Sequence, residues 1–128
     1  MVNLLDLISR IFISSIFLFS GVNKILTYDE TFQWLEQVGA PGLLIIPAIG
    51  LEIIFPILII VGYKVKIAAT LLALFCLVTA FWFHFDFSND TQIIAFLKNI
   101  GLAGGLLFLA INGAKDWTLT KKKRYVRL

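Results

Sequence analysis

Long apolar runs separated by short polar connections dominate this sequence. About 20 consecutive apolar residues span the hydrocarbon core of a bilayer, and runs of roughly that length lie at residues 4–26, 42–63, 66–85 and 92–113. Residues 28–38 instead mix acidic positions with Phe32, Trp34 and Leu35, a pattern typical of a short amphipathic helix at the membrane interface. The pattern predicts an all-α integral membrane four-helix bundle, with residues 1–128 forming a single transmembrane domain.

The segment at residues 28–38 has two interpretations. It either anchors the chain at the bilayer surface through its aromatic residues, or it covers an outward pocket as a lid. Anchoring requires no further feature, so the sequence alone favours it.

The composition supports a membrane protein. Hydrophobic residues make up 59% of the chain, whereas soluble domains contain about 45–50% apolar residues. A soluble protein of this composition would have too little polar surface to face water. Cys76 is the single cysteine, which excludes disulfide chemistry within the chain.

The basic residues are concentrated at one side of the predicted bundle. The tail at residues 115–128 carries six Lys and Arg, and Lys64 and Lys66 lie between the second and third runs. Because Lys and Arg are enriched in cytoplasmic segments, both termini are predicted to be cytoplasmic. Attraction to anionic lipid accounts for the tail, so nothing in this charge pattern favours nucleic-acid binding.

Glu52 is the most informative residue of the second run. It is the only ionisable residue in the middle of that run, between Pro47 and Pro56. A carboxylate at this depth costs at least about 2.5 kcal/mol, and Pro56 removes the amide that would otherwise bond the Glu52 carbonyl. Glu52 is therefore expected to have a cationic partner or a functional role.

Polar and small residues of the other runs recur at helical spacing. In the first run, successive intervals of four, three, four and three residues place one stripe on a single helix face, made up of Arg10, Ser14, Phe17, Gly21 and Lys24. In the fourth run the same spacing joins Lys98, Gly101 and Gly105, and a small-xxx-small pair is typical of helix packing. Both faces are predicted to point into the bundle.

Depth along the helices predicts a constellation around Glu52. Arg10 and Lys98 lie at depths within reach of Glu52, one towards the cytoplasm and one outward. The outward pocket is predicted to be lined by Lys24, Glu52, His84, Lys98 and Asn99. Pairing with Lys98 would make Glu52 the floor of this pocket, and it is the arrangement we favour over pairing with Arg10.

The ordered set of these residues resembles the DoxX family. The resemblance rests on Arg10, Gly21 to Lys24, the turn at Gly39 to Pro41, Glu52 with Gly62, Phe83-His84, Leu97-Lys98-Asn99 and Gly104-Gly105. It implies a four-helix, multi-pass protein of the cell (inner) membrane, and some relatives are subunits of quinone-reducing thiosulfate oxidoreductases. The cysteine pairs of some redox-linked relatives are missing here, and one histidine provides no haem-ligand pair.

The leading functional hypothesis is a membrane subunit of a redox system. Its pocket would bind quinone or a small anionic substrate, with His84 and Lys98 hydrogen-bonding the headgroup and Glu52 relaying protons. Arg10, Lys24 and Asn99 complete the expected binding set, and no metal site is predicted. Partners would be the lipid bilayer, membrane or periplasmic redox subunits, or a second copy of the chain.

Two alternatives remain open at this point. In the first, Glu52 only fixes helix register in a non-enzymatic anchor or assembly subunit. In the second, a proline-interrupted helix beside an intramembrane carboxylate serves a small-molecule or ion carrier. Whether the chain itself catalyses a reaction is open under the leading hypothesis.

Overall fold

The computed structural model describes residues 2–115 and 117–119. Within these residues the chain is helical and contains no strand, with a short 3-10 helix at Gly42–Leu44 leading into the third of five α-helices. The helices are α1 (Val2–Leu26), α2 (Tyr28–Gln37), α3 (Ile45–Val61), α4 (Val65–Phe83) and α5 (Asp90–Asn112).

Four stretches are long and apolar enough to cross a membrane, which confirms the predicted fold class. They are Asn3–Leu26, Gly42–Val61, Val65–Phe83 and Asp90–Asn112, and their bounds lie within two residues of the ranges expected from the apolar runs. Most of the predicted basic tail, residues 116 and 120–128, lies outside the described residues. The cytoplasmic placement of both termini stays a prediction.

The connections between helices follow from local backbone chemistry. Gly62 ends α3 with a φ of +76°, a left-handed conformation that glycine adopts without steric cost. Asn89 caps α5, because its side-chain oxygen accepts a hydrogen bond from the Thr91 amide at 2.9 Å. Just before this cap, the hydroxyl and amide of Ser88 both donate to Asp86 Oδ1, and these bonds lower the pKa of Asp86.

The helices pack in the order α1, α3, α4 and α5, each against the next. We call the end at which α1 and α4 begin the terminus end, and the end at which they finish the α2 end. The larger apolar cluster extends from the terminus end into the middle of the bundle, where α4 supplies most of its small residues, including Ala68, Ala69 and Ala73. Small residues allow helix backbones to approach closely, so α4 forms the centre of this cluster.

A second, smaller apolar cluster closes the α2 end. Leu35 of α2, Ala40 and Ile45 are buried there, and Phe83 of α4 packs against them. α2 therefore connects the start of α3 with the end of α4.

Candidate functional site

A cavity of about 590 Å³ lies between the two apolar clusters. Along α3, Ile45 belongs to the smaller cluster and Ile59 to the larger one, while Ala48, Leu51 and Glu52 between them line the cavity. Along α4 the corresponding lining residues are Val78, Thr79 and Trp82. The cavity thus lies between the two levels of the bundle at which α3 and α4 pack together in an apolar cluster.

The floor of the cavity is an ion pair between α1 and α3. Lys24 Nζ lies 2.8 Å from Glu52 Oε2 and 3.0 Å from Oε1, and it donates to Ser20 Oγ at 2.7 Å. The Ser20 hydroxyl in turn donates to Glu52 Oε1 at 3.2 Å. Glu52 is 3% exposed and lies about 15 Å along the helix axis from the start of the span at Gly42. Both oxygens of the carboxylate therefore accept hydrogen bonds, near the middle of the span.

Lys24 is the partner of Glu52, so the predicted pairing with Lys98 or Arg10 is wrong. The reason lies at Gly21, which precedes Lys24 by three residues, or about one helical turn. A Cβ on Gly21 would lie 2.8 Å from Ile53 Cγ1 and 3.1 Å from Glu52 Cβ, so the missing side chain lets α1 approach α3 closely. The long side chain of Lys24 then spans the remaining distance along the helix axis to the Glu52 carboxylate.

Arg10 lies at the terminus end of the bundle and does not line the cavity. It is 1% exposed, and its Nε contacts Asp6 Oδ2 at 3.0 Å. Its guanidinium also donates to the carbonyls of Ile59, Ile60 and Trp117 at 3.1, 2.6 and 3.2 Å. These carbonyls include the last turn of α3, where a cation is favourable. Arg10 is thus a clasp between α1, the end of α3 and the segment after α5, which corrects its predicted place in the pocket.

The predicted role of Lys98 in the pocket is also wrong. Lys98 is exposed, does not line the cavity and makes no hydrogen bond or ion pair with a described residue. The sequence correctly placed Lys98, Gly101 and Gly105 on one face, but Ala103, a core residue of α5, is five residues beyond Lys98, about 140° around the helix. The part of that face at Lys98 and Gly101 therefore points out of the bundle.

The glycines of α5 differ in their packing. A Cβ on Gly101 would meet nothing within 4 Å, whereas one on Gly105 would lie 3.2 Å from Ile13 Cδ1 of α1. The predicted packing role therefore holds for Gly105 and is wrong for Gly101. Asn99 does line the cavity, and its side chain donates to the Ala95 carbonyl at 3.0 Å.

Aromatic residues and His84 line the cavity towards the α2 end. Trp34 of α2 lies 5.2 Å from Phe83, and Trp82 stacks on Phe83 at 5.5 Å between centroids. His84 is half-buried, and its Nδ1 lies 2.9 Å from Gln92 Oε1, which fixes the ring orientation. α2 therefore covers the cavity at this end, and the placement of residues 28–38 at the outer membrane surface stays a prediction.

Sequence reasoning missed four contributors to the site. Ser20, Trp34 and Trp82 line the cavity, and Gln92 holds His84. Ser20 precedes Lys24 by four residues, a spacing that places two side chains on one helix face and provides a usable signal. No sequence signal places Trp34 at the cavity, because its contact with Phe83 of α4 depends on how α2 folds back over the bundle.

The site combines a large apolar volume with few polar groups. The charges of Lys24 and Glu52 balance each other, so the cavity carries no net charge from this pair. Pockets of this type suit a ligand with an apolar body and a few hydrogen-bonding atoms.

The family model for DoxX matches residues 5–85, a range that includes Ser20, Lys24, Glu52 and His84. The inner membrane protein YqjF of Escherichia coli (strain K12) is 34% identical to this chain over 115 residues, which cover 90% of this chain and 88% of that protein. The inner membrane protein YphA of the same organism is 36% identical over 123 residues, with 91% of this chain and 88% of that protein covered. No solved structure is significantly similar to this chain. With the four spans described above, these matches show that the chain is a multi-pass inner membrane protein that belongs to the DoxX family.

Proposed function

We propose that this protein is a membrane subunit of a redox system and that its cavity binds the headgroup of a quinone. The observation that carries the proposal is the apolar, aromatic-walled cavity of about 590 Å³ with the Lys24 and Glu52 pair as its floor. A quinone headgroup is a flat, uncharged ring with two carbonyl oxygens. Such a ring matches aromatic walls, and its oxygens need donors.

The charge balance of the floor favours a neutral ligand over a small anion. An anion would need an uncompensated cation, but both Glu52 oxygens already face the Lys24 ammonium. Burying a second negative charge next to Glu52 would be costly. A quinone avoids this cost, and it is therefore preferred over the anionic substrate that the sequence left open.

Ser20 provides a route by which Lys24 can bind a carbonyl oxygen. The three N–H groups of Lys24 face Ser20 and the two Glu52 oxygens. The Lys24 side chain keeps 23% of its surface exposed. A ligand oxygen can replace the Ser20 hydroxyl as an acceptor, because that hydroxyl still donates to Glu52. The indole N–H groups of Trp34 and Trp82 have no hydrogen-bond partner among the described residues and supply further donors.

Reduction of a quinone to a quinol adds two electrons and two protons, one proton to each carbonyl oxygen. The electrons would come from the redox centre of a partner subunit. In this chain, Lys24 would donate a hydrogen bond to the oxygen that gains charge. Both protons would come from water: the Glu52 carboxylate would take up one and pass it to this oxygen, and the second would reach the other oxygen from the α2 end. His84, held by Gln92 at the α2 end, would exchange protons closer to the membrane surface.

Fluorescence quenching tests this proposal, because Trp34 and Trp82 line the cavity and quinones quench tryptophan emission. The protein in lipid nanodiscs is titrated with a benzoquinone that has no tail. We expect saturable quenching that Lys24→Met weakens by about tenfold, since hydrogen bonds to charged groups contribute about 1.5–3 kcal/mol. Ser20→Ala should preserve binding.

Lys98→Met is the matched control, since it removes an exposed lysine that does not line the cavity. Trp117→Phe removes the tryptophan that lies outside the cavity and should leave the saturable part of the signal. Absence of saturable quenching, or equal weakening by Lys24→Met and Lys98→Met, would refute the quinone proposal.

The second candidate is a non-enzymatic anchor or assembly subunit. It is favoured by the closed hydrogen-bond network of Ser20, Lys24 and Glu52, which is complete without any ligand. In this case Glu52→Gln would lower stability or partner retention, and no folded variant would lose quinone binding alone. Measuring Cys76 accessibility alongside quenching separates the two candidates, because Cys76 is 1% exposed in the folded bundle.

A further inference from the structure

The cavity opens sideways towards the bilayer between α3 and α4. Two cavity-lining residues of α4, Val78 and Trp82, are 55% and 50% exposed. On the α3 side, Leu44 is 39% exposed, and Pro47 is also exposed. A residue that both lines the cavity and is exposed lies on its rim, so α3 and α4 each contribute an edge.

Helix geometry places these two edges opposite each other. On α4, Phe81 contacts Phe96 of α5 with ring centroids 5.3 Å apart, and Val78 and Trp82 lie about 60° and 100° around the helix from Phe81, on the side that lines the cavity with α3. On α3, Ile53 lies beneath Gly21 of α1, and Leu51, two residues away, lies about 160° around the helix, towards α4.

The two apolar clusters bound this opening, one towards the terminus end and one towards the α2 end. Towards the terminus end, Ile59 and Leu72 share the larger cluster. Towards the α2 end, Ile45 and Phe83 meet in the smaller one. No hydrogen bond joins Ile45–Val61 to Val65–Phe83 in the structure. The gap is thus confined to the level of the cavity. We call its rim, formed by the exposed residues Leu44, Pro47, Val78 and Trp82 together with the half-buried Leu51, the lateral opening.

We propose that the lateral opening admits a ligand with a long apolar tail directly from the bilayer, with the headgroup above the Lys24 and Glu52 pair and the tail left between α3 and α4. The inference rests on the proposed quinone function and specifies its substrate as a lipid-tailed quinone. The rim contains no charged residue. A polar, tail-free substrate would need a polar entrance from water, whereas an apolar rim at the depth of the bilayer suits a tail that stays in a lipid-like environment.

Comparison of tailed and tail-free ligands at a narrowed opening tests this route. The protein in nanodiscs is titrated by tryptophan quenching with a benzoquinone that carries a decyl tail and with the same benzoquinone without a tail. Val78→Phe and Leu51→Phe add bulk to the two edges. We expect each variant to weaken the tailed ligand by about tenfold through steric conflict with the tail, and to leave the tail-free ligand within about twofold of the wild type.

Ile46→Phe is the matched control. Ile46 of α3 is 58% exposed but does not line the cavity, and its variant should change neither ligand by more than about twofold. Equal weakening of both ligands by Val78→Phe, or weakening of the tailed ligand by Ile46→Phe instead, would overturn the lateral opening while the quinone proposal stands. If neither ligand quenches the wild type saturably, the proposed function itself fails.

Discussion

Removing Lys24 alone should destabilise the bundle more than removing Lys24 and Glu52 together. In Lys24→Met, the Glu52 carboxylate, 3% exposed, is left charged and paired only with the Ser20 hydroxyl. Loss of one partner of a buried pair costs about 3–5 kcal/mol. Because the Lys24 side chain keeps 23% exposure at the cavity, we expect the lower end, about 3 kcal/mol.

The double variant Lys24→Met with Glu52→Gln removes the uncompensated charge. The glutamine amide can keep the hydrogen bond from Ser20, and the methionine packs against an apolar wall. Replacement of a buried ion pair by neutral groups of similar volume is often close to neutral. We therefore expect the double variant to recover most of the loss and to lie within about 1 kcal/mol of the wild type.

Cys76 provides the assay, because it is the single cysteine and is 1% exposed. Its reaction with a maleimide, followed as the SDS fraction of mixed micelles rises, reports the free energy of unfolding. Lys98→Met, at an exposed lysine, should stay within about 0.5 kcal/mol of the wild type. If Lys24→Met also stays within that range, or if the double variant is no more stable than Lys24→Met, the ion pair does not stabilise the bundle as argued.

Three further predictions use the same Cys76 assay. Gly21→Ala should destabilise by about 1–3 kcal/mol through overpacking against α3, whereas Gly101→Ala, which meets nothing within 4 Å, should be neutral or slightly stabilising; equal effects would contradict the close contact of α1 and α3. Ser14→Ala should stabilise by about 1 kcal/mol or more, because the fully buried Ser14 hydroxyl has no hydrogen-bond partner among the described residues; a loss of stability would contradict this. Arg10→Met should cost about 3–5 kcal/mol through the lost carbonyl and carboxylate contacts, and an unchanged unfolding free energy would argue against the clasp.

The inward face of α1 could be predicted from the sequence because one helix determines it. Spacing alone placed Arg10, Ser14, Phe17 and Gly21 on one stripe, and all four are buried. Lys24, at the end of the stripe, reaches the cavity. The four spans were predictable for the same reason, since length and apolarity are properties of each segment by itself.

The ion pairs could not be predicted from spacing, because they depend on relations between helices. Depth alone made Arg10 and Lys98 appear to be suitable partners for Glu52. The depth of a residue gives no information on the close approach of α1 to α3 at Gly21, or on the rotation of α5 about its own axis. Lys98 and Gly101 do share one face of α5, as their spacing predicts. The rotation of α5 about its own axis, however, buries the opposite face, which carries Ala103 and Leu106. A stripe of polar and small residues therefore identifies a common face, but not its direction.

The two helix interfaces of α3, which we call seams, differ in their polar contacts. The seam between α1 and α3 has two clasps, Arg10 with its contacts and the Lys24 and Glu52 pair. Arg10 and Lys24 both tie α1 to α3, and their separation of 14 positions corresponds to about 21 Å of helix. By contrast, α3 and α4 are joined only by apolar contacts within their spans, and the lateral opening interrupts these contacts. Motion that admits a tailed ligand should therefore occur at the seam between α3 and α4. Amide hydrogen exchange should be faster in residues 78–84 than in the α1 segment between the clasps, and the opposite order would place the mobile seam between α1 and α3.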